Sequence, residues 1–219
     1  MRNQASENYL KCIYALSSKE PGSVSTNAIA ERLETKASSV TDMLKKLKER
    51  GLVSYEKYQG AELTVTGKSI AVEIIRKHRL WEVFLVQKLK FGWDEVHEIA
   101  EQLEHIKSPE MVERLDEFLG HPKYDPHGDP IPDSDGNLAT DPEVVPISQL
   151  AEGQRAVIVG VGDSSPSFLQ YLQQVELTLG AEITIENKFD FDSSMSLVID
   201  GKTKQISAQV CDNLLVKSK

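Results

Sequence analysis

Apolar positions recur at a helical period through the first fifty residues. In residues 5–17, Tyr9, Ile13 and Leu16 share one helical face, with Ser6 as the expected N-cap and Pro21-Gly22 ending the unit. Ser25-Thr26-Asn27 opens a second, short helix, and a turn at Glu34-Thr35-Lys36 separates it from a third over residues 37–50. That helix turns Val40, Met43, Leu44 and Leu47 inward, and Gly51 closes it. The period then changes to two over residues 52–58 and 61–65, around Gln59-Gly60, as in a β-hairpin. Three helices followed by a two-stranded hairpin are the element order of a winged helix-turn-helix.

The helical period returns over residues 67–90, 94–106 and 110–119. Residues 121–146 hold six of the nine prolines and cannot continue a helix, so they mark a boundary. Short apolar runs at 155–161, 176–179, 181–186, 196–199 and 202–208 then predict strands of a small barrel of about 70 residues. The fold class is mainly α with a small β part. The predicted domains are a winged helix-turn-helix at 1–73, a helical domain at 74–140 and a β-domain at 145–219.

Composition narrows the compartment. No apolar run approaches the roughly 20 residues that span a bilayer, and Met1-Arg2-Asn3-Gln4 is not an apolar leader, so a cytoplasmic protein without a membrane partner is expected. Cys12 and Cys211 are too few for a disulfide framework or a CxxC metal site and read as small buried hydrophobes. The net charge of −9 argues against nucleic acid until it is mapped. Residues 1–79 carry 14 Lys and Arg against 9 Asp and Glu, and the remainder 11 against 25. Only the N-terminal third has the charge of a DNA-binding module.

In a helix-turn-helix the second helix of the motif enters the major groove with its N-terminal residues at base edges, here Ala37, Ser38, Ser39, Thr41 and Asp42. Lys36, Lys45, Lys46 and the hairpin residue Lys57 are placed for phosphates, which supply affinity rather than sequence information. No Arg, Asn or Gln faces outward early in that helix, so specificity falls to van der Waals contacts and DNA shape. Taken alone, Lys45, Lys46, Lys48 and Arg50 equally describe a solvated face. The element order and the local positive charge together favour double-stranded operator DNA.

Three of the five histidines fall between residues 78 and 105, interleaved with carboxylates at helical spacing. His97, Glu101, Glu104 and His105 form one stripe, away from the apolar stripe of Val96, Ile99, Leu103 and Ile106. One such stripe is ordinarily an acidic surface face. A second pair one turn apart on the preceding helix, His78 and Glu82, tips the reading to a divalent metal. Carboxylate and imidazole without thiolate suit Mn²⁺ or Fe²⁺, while Zn²⁺, Co²⁺ and Ni²⁺ would bind in vitro by the Irving–Williams order. Six candidates exceed one site, so either some orient ligands or two adjacent sites use them all. His121 and His127 in the proline-rich crossing read as structural turn histidines, and Trp81 and Trp93 as core or dimer-contact residues. The rival class is a metalloenzyme with a carboxylate and histidine site in a helical domain. No nucleophile or Gly-rich loop accompanies the ligands and a winged helix would be unexplained, so the chain is expected not to be an enzyme and to take no small organic substrate.

Glu7-Asn-Tyr-Leu, Ser38-Ser-Val-Thr, Lys77-His-Arg-Leu-Trp-Glu, Trp93-Asp-Glu-Val-His, Glu101-Gln-Leu-Glu-His and Asp125-Pro-His-Gly-Asp-Pro-Ile-Pro resemble, in this order, the diphtheria toxin repressor family of metal-dependent transcriptional regulators. The resemblance covers nearly the whole chain. It implies a homodimer formed through the second domain, an SH3-like (FeoA-like) third domain and metal-activated repression of metal-uptake genes. It also implies a regulatory site of Glu101, Glu104 and His105 joined by position 8, and a neighbouring site of His78, Glu82 and His97. In the manganese branch the histidine at 78 joins the carboxylates instead. Here position 8 is Asn8, where the family usually has Met or Asp. Glu101 in place of the iron branch's Cys leans toward manganese, whereas Lys11, where manganese regulators carry Glu, argues against the usual binuclear geometry. The family's third domain commonly donates a further ligand, for which Asp163 is the candidate.

Overall fold

The computed structural model describes residues 3–19, 22–139 and 141–219. Met1, Arg2 and Pro21, to which sequence expectations attach, lie outside them. The chain divides into two compact units, one of residues 1–78, 101–114 and 132–137, the other of residues 79–100, 115–131 and 138–219. Three helices, α4 (Val65–Gln87), α5 (Val96–Leu103) and α6 (Pro109–Leu119), contribute residues to both.

The first unit contains α1 (Gln4–Lys19), α2 (Thr26–Arg32), α3 (Ala37–Glu49), β1 (Val53–Glu56) and β2 (Gly60–Leu63). The cap of α1 is Asn3 rather than Ser6: the Asn3 Oδ1 accepts the Ser6 N–H at 2.9 Å. Asn caps as well as Ser, so three residues earlier the same chemistry starts the helix sooner. Ser6 is instead buried within the helix, its Oγ accepting from Arg50 Nη1 at 3.1 Å. Ser25 caps α2 through Oγ, which accepts the Ala28 N–H at 3.1 Å. Leu10 and Ile13 of α1, Ile29 of α2, Val40, Leu44 and Leu47 of α3 and Ile74 of α4 form one buried core. Each such side chain contributes about 1.5–3 kcal/mol on burial, so apolar contact is the main tie between α1 and α3. The hairpin pairs Val53 with Leu63 through Glu56 with Gly60. Gly67 opens α4 where an added Cβ would lie 1.9 Å from the Leu52 carbonyl oxygen, a close approach that admits glycine alone.

The second unit is built on a six-stranded antiparallel sheet. Its strands are β3 (Val144–Pro146), β4 (Arg155–Val161), β5 (Glu182–Lys188), β6 (Met195–Ile199), β7 (Lys202–Ile206) and β8 (Leu214–Ser218), in the order β3-β8-β4-β5-β6-β7. Two helices, α7 (Pro166–Gln174) and α8 (Ala208–Asn213), accompany it. Residues 176–179, expected as a strand, are not one. Glu176 has φ +55° and Leu177 is buried in the turn that follows α7. Leu169 and Leu172 of α7, Ile158 of β4, Ile185 of β5 and Leu197 of β6 are among the core residues. α5 is shorter than expected and ends at Leu103, so Glu104 and His105 stand in a turn rather than on a helical stripe.

Candidate metal centre

Within the first unit, α1 brings Glu7, Asn8 and Lys11 to one face, α4 supplies His78, and α5 with the turn after it supplies Glu101, Glu104 and His105. Glu104 is fully buried and is approached from two sides: His78 Nδ1 lies 2.6 Å from its Oε2, and Lys11 Nζ lies 2.8 Å from both oxygens and 3.0 Å from Glu101 Oε1. An ionised carboxylate only accepts, so the His78 Nδ1 carries the proton of that bond. His105 Nδ1 donates in the same way to Glu7 Oε2 at 2.6 Å, and Glu7 is itself buried. The Asn8 side-chain oxygen is buried and has no hydrogen-bond partner among the described residues. A buried amide oxygen without a donor is costly, which makes it the kind of atom a bound cation would satisfy.

A second group lies wholly within the second unit. Glu82 of α4, Asp125 and His127 are all buried, and one ligand atom from each lies within 4.8 Å of the others. Glu82 Oε1 is 3.4 Å from His97 Nδ1, and Glu82 Oε2 is 3.7 Å from His127 Nδ1. The other His127 nitrogen, Nε2, donates to the Trp93 carbonyl at 2.8 Å, which fixes the ring. Asp125 Oδ1 accepts the N–H groups of His127 and Asp129 at 2.8 and 3.0 Å, and Arg79 Nε stands 3.5 Å from its Oδ2. Burial raises Asp125 to about 7, helped by the charges of Glu82 and Asp129 and opposed by His127 and Arg79. For His127 burial works against the charge. The bond and charge of Glu82, the charge of Asp125 and the Trp93 carbonyl outweigh it and hold the ring at about 9.

The loop carrying these two residues is pinned to β4. Val161 N–H donates to the His127 carbonyl at 2.8 Å, and Gly128 adopts φ +88°, where an added Cβ would sit 2.4 Å from both the Val159 oxygen and the Gly160 Cα. Asp163, two residues past Val161, accepts the Ser165 N–H at 2.8 Å through Oδ1. It is outside the set of three whose ligand atoms converge.

Each of the six residues predicted on the two facing stripes has an acidic, basic or imidazole partner. His78 meets Glu104, with Glu101 joined through Lys11; Glu82 meets His97; His105 meets Glu7. Glu7 is not among the ligands the sequence predicts, and His127, expected as a structural turn residue, stands beside Glu82. The signal for His127 was present as two aspartates flanking one histidine in Asp125-Pro-His-Gly-Asp129.

On the DNA-reading helix, Lys36, Ala37, Ser38, Ser39, Asp42, Lys45 and Lys46 are exposed. Thr41 is half-buried and its hydroxyl donates to the Ala37 carbonyl at 3.0 Å. Lys45 pairs weakly with Asp42 at 3.7 Å. Lys48 donates to the Tyr55 carbonyl and Arg50 to Ser6, so two of the four basic residues at the end of α3 hold the fold together. On the wing, exposed Lys57 lies 4.9 Å from the centroid of the Tyr58 ring, which is itself exposed.

Residues 2–61 match the family model for the iron dependent repressor N-terminal DNA binding domain, residues 64–133 that for the iron dependent repressor metal binding and dimerisation domain, and residues 145–218 the FeoA domain. The iron-dependent repressor IdeR of Mycobacterium leprae is 38% identical over 127 residues, covering 58% of this chain and 54% of that protein. The diphtheria toxin repressor of Corynebacterium glutamicum is 34% identical over 170 residues, covering 77% and 72%. The chain therefore spans about half the length of the mycobacterial relatives it matches. A solved manganese-dependent transcriptional repressor in complex with manganese shares 34% identity and superposes with a TM-score of 0.84 over 98% of this chain and all of that one. These relatives are repressors rather than enzymes. With three family models matched in order and relatives aligned over most of its length, the chain belongs to the diphtheria toxin repressor family of iron- and manganese-dependent repressors.

Proposed function

We propose that this protein is a homodimeric repressor that binds operator DNA when loaded with Mn²⁺ or Fe²⁺ and controls genes for uptake of that metal. The observation that carries this reading is the cluster around α1: a buried Asn8 oxygen, without a hydrogen-bond partner among the described residues, on the helix face that also bears Glu7 and Lys11, which contact His105, Glu101 and Glu104. That donor set of carboxylate, amide and imidazole fits a hard-to-borderline divalent ion. Such an ion would supply two positive charges and several coordination positions at a point where α1 meets α5.

Asn8, Glu101, Glu104 and His105, with Glu7 and His78 beside them, form the regulatory set in this reading. Because α1 shares its core with α3, residues that fix α1 also fix the recognition helix. Glu82, Asp125 and His127 form the second set. His97 stands beside it, and Asp163 of the third domain is the candidate for a further ligand in this reading. The three matched segments suggest domains at 1–73, 74–140 and 145–219. Lys36, Ala37, Ser38, Ser39, Thr41, Asp42, Lys45 and Lys46 on or next to α3 and Lys57 on the wing form the DNA-contacting set. The exposed Phe118, packed against Phe84 at 6.4 Å between ring centroids, suits an apolar dimer surface. No helix among the described residues is long and apolar enough to cross a membrane, in keeping with action on DNA in the cytoplasm.

The test is Glu104→Gln and His105→Ala, assayed for operator affinity against Mn²⁺ concentration. Coupling between metal and operator of about 1–3 kcal/mol should be lost in both. Unchanged metal-dependent affinity in either variant contradicts the reading.

A further inference from the structure

Lys11 is the one charged member of the first cluster to which the proposed function gives no task. Its Nζ stands 3.0 Å from Glu101 Oε1 and 2.8 Å from each oxygen of Glu104, so three carboxylate oxygens from two residues converge on one ammonium. Glu104 is fully buried and the Lys11 side chain is 19% exposed, which separates this pair from the exposed ion pairs elsewhere on the chain. A buried carboxylate left without a cation is strongly unfavourable, so Glu104 holds Lys11 until another positive charge replaces it. Both Glu104 oxygens are already committed to the ammonium, and a metal ion chelated by the same oxygens would be in direct repulsion with it.

We propose that Lys11 is a tethered placeholder cation. In the metal-free protein it keeps Glu101 and Glu104 gathered in one place, and the metal must displace it to reach them. Lys11 thereby sets the metal concentration at which the site responds. The flexible four-carbon stem of lysine suits this, because the ammonium can leave without moving α1. The inference rests on the reading of this cluster as the effector site.

Full-length protein freed of metal by chelation is titrated with Mn²⁺ by calorimetry, with Lys11 intact and as Lys11→Gln, both in a Glu82→Gln background that removes the carboxylate on which the other candidate ligands converge. Lys11→Gln is expected to bind Mn²⁺ at least about tenfold more tightly, because the competing charge is gone. Its thermal midpoint should fall below that of the protein with Lys11 intact without metal and match it with saturating Mn²⁺. Equal or weaker Mn²⁺ binding by the folded variant overturns the placeholder role and leaves the effector site standing. Absence of Mn²⁺ uptake in both proteins overturns the functional reading as well. Where the variant fails to fold without metal, the wild type decides: lysine acetylation read by mass spectrometry should rise several-fold at Lys11 on adding Mn²⁺. Unchanged protection of Lys11 at saturating Mn²⁺ overturns the proposal.

Discussion

Gly128→Ala isolates the packing that sets His127 beside Glu82. Gly128 has φ +88°, and an added Cβ would lie 2.4 Å from the Val159 oxygen and 2.4 Å from the Gly160 Cα, both backbone atoms of β4 that have no side-chain freedom to yield. A left-handed conformation costs an alanine about 1–2 kcal/mol, and forced overpacking typically adds about 1–3 kcal/mol, for about 2–5 kcal/mol together. In a chain of this size each kcal/mol moves the melting midpoint by about 2–4 °C, so a drop of about 4–20 °C is expected by calorimetry. The strand must also separate from the loop, lengthening the 2.8 Å bond from Val161 N–H to the His127 carbonyl. Ligand groups have to be held within about 0.5 Å of their working geometry, so Mn²⁺ binding at Glu82, Asp125 and His127 should weaken while the Glu104 cluster is untouched. Wild-type melting and unchanged Mn²⁺ stoichiometry and affinity in Gly128→Ala would refute this account of how the second site is built.

Further expectations follow from the same contacts. His127 is held at about 9 and Asp125 at about 7, both above their ordinary values of 6.5 and 3.8, so the folded metal-free chain binds extra protons there. The stability these groups give is complete at low pH and is lost as pH climbs, from about 4 to 7 for Asp125 and from about 6.5 to 9 for His127. Since a metal competes with those protons, Mn²⁺ affinity at this site should rise between pH 6 and 9, with proton release seen as buffer-dependent heat in calorimetry; affinity flat across that range contradicts the assignment. Lys46→Ala should weaken operator binding alike on all sequences and reduce the logarithmic salt slope by about 1, leaving Mn²⁺ affinity unchanged. Leu44→Ala removes a fully buried side chain of α3 and should cost about 2–5 kcal/mol in denaturant unfolding. A loss under 1 kcal/mol would mean that α3 is not anchored as described.

Local pattern carried the elements whose apolar face is self-evident. Residues 37–50, read as a helix from Val40, Leu44 and Leu47, correspond to α3 (Ala37–Glu49), and residues 155–161 coincide with β4. The N-terminus of α1 moved because Asn3 and Ser6 are equivalent caps and only tertiary burial of Ser6 decides between them. α7 and α8 escaped notice because each is short, with only Leu169 and Leu172, or Val210 and Cys211, fully turned inward. Nothing local tells that β8 inserts between β3 and β4. For the site, the ligand types were legible but the contacts among them were not. A helical stripe presumes that the helix continues, whereas α5 stops at Leu103 and releases Glu104 and His105 from its register. The partners that complete each group, Glu7 for His105 and His127 for Glu82, are 98 and 45 positions away in sequence, and only the folded chain brings them together.

In the proposed mechanism metal loading creates DNA affinity. The direct measurement is binding of the metal-free, full-length protein to a double-stranded fragment selected from a random pool by the Mn²⁺-loaded protein, followed by anisotropy as Mn²⁺, anaerobic Fe²⁺ and Mg²⁺ are added in turn. Affinity should tighten by about 5–150-fold with Mn²⁺ or Fe²⁺ and not at all with Mg²⁺. Equal affinity with and without Mn²⁺ and Fe²⁺, or a pool from which the loaded protein selects nothing, would contradict that mechanism.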